Sequence, residues 1–299
     1  MLNKYFKLFV LVSIGGLILC SMASLYAIRS NILGFGYTEL VKFQLNKISA
    51  ADSFDVVILG DSSGGNSVDS KELGRELGRS VVSLSLTGAF GYGGTYFMAE
   101  RVIEKGAKLI LIVQSLDVLQ RPTNNDARAI LFLSRSFKDL FRSDVSLLLS
   151  WDVIWASLKG IIKQQFKVAS REHYSDQDWL KYNYVPQSKE RYRSLSGIRF
   201  NSEDIVVGKE KYLQQLSVLC KKSGVECIYA HGPIHDSFCS DDNKEYLTAA
   251  NKIIVGAGIR FLGGLYCMSD EQIGDSMDHV ALEYKKKTTG FYASKIMQR

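Results

Sequence analysis

Five short runs of nearly unbroken apolar residues, each separated from the next by stretches of helical spacing, constrain this chain more than any other feature. They are FDVVILG at 54–60, SVVSLSL at 80–86, KLILIVQ at 108–114, VECIYAH at 225–231 and GIRFLG at 258–263. A strand with one face in water alternates apolar and polar residues, whereas a continuous apolar run needs cover on both faces. Helix-like segments at 69–78, 93–105, 209–222, 242–255 and 281–297 supply that cover. Asp69, with Glu72 three residues later, has the form of an N-cap signal for the first of them. The pattern predicts an α/β fold with a five-stranded parallel sheet between two helical layers and right-handed crossovers. In such a sheet ligands bind beyond the carboxyl ends of the strands, so residues directly after each run are the prime candidates for chemistry.

Residues 120–208 break the alternation and read as an insertion. Its first half, 127–167, is apolar helix carrying Phe132, Phe137, Phe141, Trp151 and Trp155. Its second half is polar and aromatic, with Trp179, Tyr182, Tyr184 and Tyr192, and His173 nearby. Such a cap can stack sugar rings on its aromatic faces, or use them as its own core.

The first 29 residues bear on the compartment. From Tyr5 to Ala27 the only charge is Lys7, which leaves about 20 apolar or small residues, enough to cross a bilayer core of about 30 Å. Lys4 and Lys7 lie at the N-terminal side of the run and Arg29 follows it, which puts the N-terminus in the cytoplasm and the rest outside. The expectation is a single-pass anchor in a bacterial-type inner membrane, followed by a linker at 30–52 that continues as helix to about Lys47. The working domain is 53–299. A cleaved signal peptide is the competing reading, because Ser21-Met22-Ala23 has the small-x-small form of a cleavage site. Either way the domain is exported. Cys220, Cys227, Cys239 and Cys267 form an even set that permits two disulfides in an oxidising compartment, or four buried thiols; Cys20 lies apart in the apolar run. The net charge of +6 is spread over 299 residues without a basic block, so no nucleic-acid partner is expected.

Gly60-Asp61-Ser62-Ser63 follows the first apolar run directly. A serine at a strand-to-helix turn is exposed at the sheet edge, with backbone N–H groups near enough to hold an oxyanion. Gly-Asp-Ser is also ordinary turn chemistry. Asp275-Ser276-Met277-Asp278-His279 precedes the last helical segment, and a His beside acidic residues supplies the base and orienter that a serine nucleophile needs. His231 and His235 follow the fourth run and join Asp61 as candidate substrate-lining residues, with turn capping as the bland alternative. Metal is not expected there, because Gly232 and Pro233 oppose the helix that would align two ligands.

Taken in this order, the pieces resemble the SGNH/GDSL hydrolase family, a three-layer α/β/α (flavodoxin-like) fold. The likeness covers roughly 54–118 and 225–297 and leaves the insertion unmatched. It implies that Ser62 is the nucleophile and that its own N–H and that of Gly88, in LTGAFGYGG, donate to the oxyanion. It further implies that His279 is the base, oriented by Asp275 or Asp278. The family's third block, Gly-x-Asn-Asp, reads Gln114-Ser115-Leu116-Asp117 here, so Gln114 or Ser115 would have to replace the missing Asn as oxyanion donor. The family's Asp stands three residues before its His, where this chain has Ser276, and Asp275 is preferred over the adjacent Asp278. Exported, anchored relatives add or remove acyl groups on envelope polymers. The implied activity is therefore ester hydrolysis or O-acyl transfer on an acylated envelope saccharide, with a membrane-embedded acyl-transfer partner and no cofactor. The alternative from another class is a catalytically silent module that binds glycan or an assembly partner.

Overall fold

The computed structural model describes residues 38–122, 124–134 and 199–298, with single positions or short pieces at 5–7, 9–13, 15–16, 155 and 192. The chain divides into two compact units, Lys42–Thr123 with Tyr174–Arg299, and Met1–Val41 with Asn124–His173. In the second unit the described pieces include a helix over Asn125–Leu133. Among the described residues no helix is long and apolar enough to cross a membrane. Most of the expected anchor over 1–29, and all the aromatic residues named in the insertion except Phe132, Trp155 and Tyr192, lie outside the described residues.

The first unit carries the sheet. In chain order the elements are α1 (Thr38–Ala50), which crosses the unit boundary after Val41, then β1 (Val56–Gly60), α2 (Ser62–Ser67), α3 (Ser70–Leu77), β2 (Val81–Ser83), α4 (Gly91–Glu104) and β3 (Leu109–Gln114). After the insertion come α5 (Glu210–Ser223), β4 (Glu226–His231), β5 (Ile234–His235), α6 (Lys244–Gly256), β6 (Arg260–Phe261), β7 (Cys267–Met268) and α7 (Lys285–Met297). The main sheet has the order β2-β1-β3-β4-β6 and every pairing in it is parallel. All five apolar runs thus become strands of one sheet, in the doubly wound order.

Burial explains the composition of the runs. Every residue of β1 and β3 is buried. Val56, Ile58, Leu111, Val113 and Ile228 face a layer formed by Leu73 of α3 and Tyr292, Ala293 and Ile296 of α7. The alternating residues Val57, Leu59, Ile110 and Ile112 are equally buried and point to the opposite face. There α4 and α5 bring Phe97, Met98, Val102, Leu213 and Leu216, all buried.

The edge strands β2 and β6 are shorter than the runs that predict them, at three and two residues. Beyond β2 the chain still follows β1, with Leu84 N–H and Leu86 N–H donating to Ile58 and Gly60 carbonyls at 2.9 Å. Side chains of α1 cover two carbonyls along this stretch. Gln44 Nε2 donates to Ser85 O at 2.8 Å and Lys47 Nζ to Ser83 O at 2.9 Å. A helix therefore blocks an edge that would otherwise template another strand. Asp69 caps α3 as expected, accepting from the N–H groups of Lys71 and Glu72. Glu72 does not complete the capping box: it pairs with Arg75 and Lys286, and the Asp69 N–H goes to Thr289 Oγ1.

A second, two-stranded parallel sheet pairs β5 with β7. Nothing in the sequence announces it, because two-residue strands carry no periodic signal. Both disulfides form, Cys220–Cys227 between α5 and β4 and Cys239–Cys267 beside this small sheet. The small sheet holds the 275–279 loop in place, since His235 N–H donates to Met277 O at 2.9 Å. A disulfide closing a loop of this length is worth about 2–4 kcal/mol. Urea unfolding of Cys239→Ser/Cys267→Ser should show a loss of that size.

Candidate active site

The site begins where β1 ends. Gly60 has φ +138°, and a Cβ there would lie 1.8 Å from Val113 O, so only glycine lets the ends of β1 and β3 come this close. Asp61 is 1% exposed and caps α2. Its Oδ1 accepts from Ser63 N–H at 3.1 Å and Ser63 Oγ at 2.7 Å. Its Oδ2 accepts from Ser115 N–H at 3.1 Å and Ser115 Oγ at 2.6 Å. Asp61 is therefore an internal tie between two strand ends, not a substrate-lining residue. Ser63 is fully buried, and a Cβ on Gly232 would stand 2.3 Å from its hydroxyl. Of the six residues of α2, Ser62 alone is partly exposed.

His279 lies against the same short helix. Its Nδ1 is 2.7 Å from Asp275 Oδ1 and 3.4 Å from Asn66 Nδ2. Asn66 is one turn beyond Ser62, so both belong to one face of α2. An Nδ1–H held by Asp275 leaves Nε2 as the basic nitrogen. Nε2 is buried and has no hydrogen-bond partner among the described residues, and Asp278 Oδ1 stands 3.8 Å away. No hydrogen bond joins Ser62 to His279. Burial alone would lower the imidazole pKa, but the charge of Asp278 and the hydrogen bond and charge of Asp275, with a contribution from Asp61, outweigh it and raise it above 6.5. Asp275, the acid preferred from the sequence, is the one bonded to the ring. Asp278, 2% exposed, instead accepts from Ser276 Oγ at 2.6 Å and acts on the ring through its charge.

The replacements expected for the missing Asn are committed elsewhere. Gln114 Nε2 donates to Thr95 Oγ1 at 2.6 Å, and both the N–H and the hydroxyl of Ser115 go to Asp61. The residue that sequence reasoning misses is Arg121. Its Nη1 reaches Gly88 so closely that a Cβ there would lie 1.5 Å from it. Its Nε donates to Asp117 Oδ2 at 2.7 Å, while Asp61 Oδ2 and Asp278 Oδ2 stand 4.0 and 3.9 Å from its terminal nitrogens. Burial opposes the charge, but these three carboxylates outweigh it and keep the guanidinium protonated. The only signal in the sequence is the Asp117-x-x-x-Arg121 spacing, which marks countless surface pairs.

His231 and His235 do not join this group. His231 bonds Asn251 Oδ1 through Nε2 at 2.8 Å and packs edge-on against Tyr229 and Phe261. Burial depresses its pKa to about 4. His235 is held between Ser237 Oγ and Asp270 Oδ1, at 2.8 and 2.7 Å, and fastens the loop after β5. Both are structural histidines.

The sheet order, with Ser62 after β1 and the Asp275–His279 pair before α7, is the arrangement expected of an SGNH/GDSL hydrolase-like fold. No family model matches the chain, and no curated protein matches it. Among solved structures it is similar to a GDSL-like lipase of Bacteroides thetaiotaomicron, at 10% identity and TM-score 0.40, over 87% of this chain and 98% of that one. It is also similar to an acetyl xylan esterase of the rumen bacterium Butyrivibrio proteoclasticus, at 14% identity and TM-score 0.36, over 82% of this chain. The match spans 63% of the esterase, less than two thirds of its length.

His231 makes stability depend on pH. Unfolded, its ring titrates near 6.5; folded, it titrates only near 4. Its contribution is fully present above pH 6.5 and is lost as pH falls toward 4, by about 2–3 kcal/mol at pH 4.5. Unfolding free energies from urea titrations at pH 7 and 4.5 should differ more in the native chain than in His231→Gln, by that amount.

Proposed function

We propose that this chain is an SGNH-type serine esterase or O-acyltransferase working through an acyl-enzyme on Ser62. The observation that carries the proposal is the Asp275–His279 pair on a ring that lies against the helix of Ser62, with a buried Nε2 that has no hydrogen-bond partner among the described residues. Ser62 Oγ attacks the ester carbonyl carbon and its proton passes to Nε2. The carbonyl oxygen becomes an oxyanion, held by the N–H groups of Ser62 and Gly88. The imidazolium then protonates the leaving alcohol as the ester bond breaks. Water, or a sugar hydroxyl, gives its proton to Nε2 and attacks the acyl carbon, and the imidazolium returns that proton to Ser62 Oγ as the acyl–serine bond breaks. Asp275 fixes the tautomer and stabilises the imidazolium throughout.

The acyl donor we propose is an acylated saccharide of the cell envelope, processed on the outer face of an inner membrane beside a membrane-embedded acyl-transfer partner. The two disulfides support an oxidising compartment. The apolar segment 5–27 supports an anchor. Tyr192 donates its backbone N–H to Gly274 O at 2.7 Å, which puts one aromatic residue of the insertion beside the His279 loop and supports sugar stacking there.

One observation favours the second reading, a silent binding module: the absence of a Ser62–His279 hydrogen bond. Fluorophosphonate labelling and p-nitrophenyl acetate turnover by the full chain separate the two readings. Under the enzyme reading the native chain labels and turns over. Ser62→Ala and His279→Ala, folded by circular dichroism, should each lose more than about 100-fold. Equal rates in all three, with no label on Ser62, would leave the binding module. The pH profile adds a second check. Since only neutral His279 accepts the proton, kcat/KM should rise through an apparent pKa above 6.5. In Asp275→Asn that midpoint should move to lower pH, with a fall in rate of about 100- to 10,000-fold.

A further inference from the structure

The proposed acyl transfer leaves an oxyanion with one donor too few, since the Asn that the SGNH pattern supplies is absent and Gln114 and Ser115 are tied to Thr95 and Asp61. Arg121 occupies that gap. Its Nη1 lies over Gly88, the residue whose N–H serves as the second donor, at the position a side chain on residue 88 would take. A guanidinium carries five N–H groups. Among the described residues only the Nε of Arg121 is within hydrogen-bond distance of a partner; the carboxylates of Asp61 and Asp278 stand 4.0 and 3.9 Å from Nη1 and Nη2. The side chain is 31% exposed, so its remaining N–H groups are not sealed from a substrate.

The guanidinium is also held in place. Lys209 Nζ donates to the backbone carbonyls of Val118 and Arg121, and Tyr246 Oη donates to Leu116 O at 2.6 Å. The loop from β3 to Arg121 is therefore pinned at three carbonyls, and the bond to Asp117 fixes the plane of the fork. Donors fixed before the reaction stabilise developing charge without reorganising.

We propose, on the reading that Ser62 forms an acyl-enzyme, that Arg121 is a catalytic residue that donates from Nη1 to the oxyanion in place of the missing Asn. The competing role is structural neutralisation of Asp61, Asp117 and Asp278. That role would show in stability and would leave the balance between kcat and KM alone.

The test measures kcat and KM for p-nitrophenyl acetate, with urea unfolding alongside, in full-length native chain, Arg121→Ala, Gly88→Ala and the double variant. Arg121→Ala should lower kcat by about 100- to 1,000-fold with KM within a few-fold, and guanidinium ion added to the assay should restore part of the rate. Gly88→Ala keeps the residue-88 N–H but displaces Nη1, a flexible tip rather than backbone. It should lower kcat as well, and the double variant should be no slower than Arg121→Ala alone. The proposal is overturned if Arg121→Ala, folded, keeps kcat within about threefold of native while Ser62→Ala abolishes turnover. If Arg121→Ala does not fold, an unchanged kcat in Gly88→Ala overturns it equally. Absence of any Ser62-dependent turnover in the native chain is a different result: it removes the acyl-enzyme reading itself, and this inference with it.

Discussion

The Asp61 carboxylate accepts four hydrogen bonds from Ser63 and Ser115 in a setting almost closed to water, and the site is arranged around it. A buried carboxylate is tolerated only when its oxygens are satisfied, and here each oxygen takes an N–H and a hydroxyl. The bonds lock the end of β1 to the end of β3. They also turn Ser63 inward, so that its neighbour Ser62 is left at the surface of the sheet edge. The choice between two adjacent serines is thus made by one acceptor.

The second half of the site is held to the first by contacts that run through α7. Lys285 Nζ donates to Gly65 O at 2.9 Å, and its burial lowers its pKa to about 8. Thr289 Oγ1 takes the Asp69 N–H at 2.9 Å. The helix that follows His279 therefore grips the turns that follow Ser62. From the other side, β5, β7 and the Cys239–Cys267 bridge hold Met277 through His235. The His279 loop is fixed from two directions, as the proposed base must be if its ring is to stay in register with Ser62. Around it the charges form one system: Asp61, Asp117, Asp275 and Asp278 surround Arg121 and His279, and their carboxylates favour the charged forms of both.

What could be read from the sequence followed the physics that is local in the chain. The five strands were legible because a strand buried on both faces needs an apolar residue at nearly every position, and that demand is written contiguously. The helices followed from their spacing and from caps such as Asp69. Ser62 stood out because it follows β1, and the Asp275–His279 stretch because it lies in the connection ahead of α7. By contrast, the edge strands were overestimated, since an apolar run records burial and not the length of the ladder, which is three residues in β2 and two in β6. The β5–β7 pair gave no signal, being shorter than any period.

The sequence by itself determined the class of fold and which polar residues follow the strand ends, because hydrophobic burial and backbone propensity act between near neighbours in the chain. Only the tertiary structure decided what each polar group does. It assigned Asp61 to an internal tie, made His231 and His235 structural, chose Asp275 over Asp278 as the partner of His279, and brought Arg121 onto Gly88. Those outcomes depend on which donors and acceptors meet across tens or hundreds of residues. Hydrogen bonds fall off within a few tenths of an ångström and a few tens of degrees, so no one-dimensional spacing encodes them.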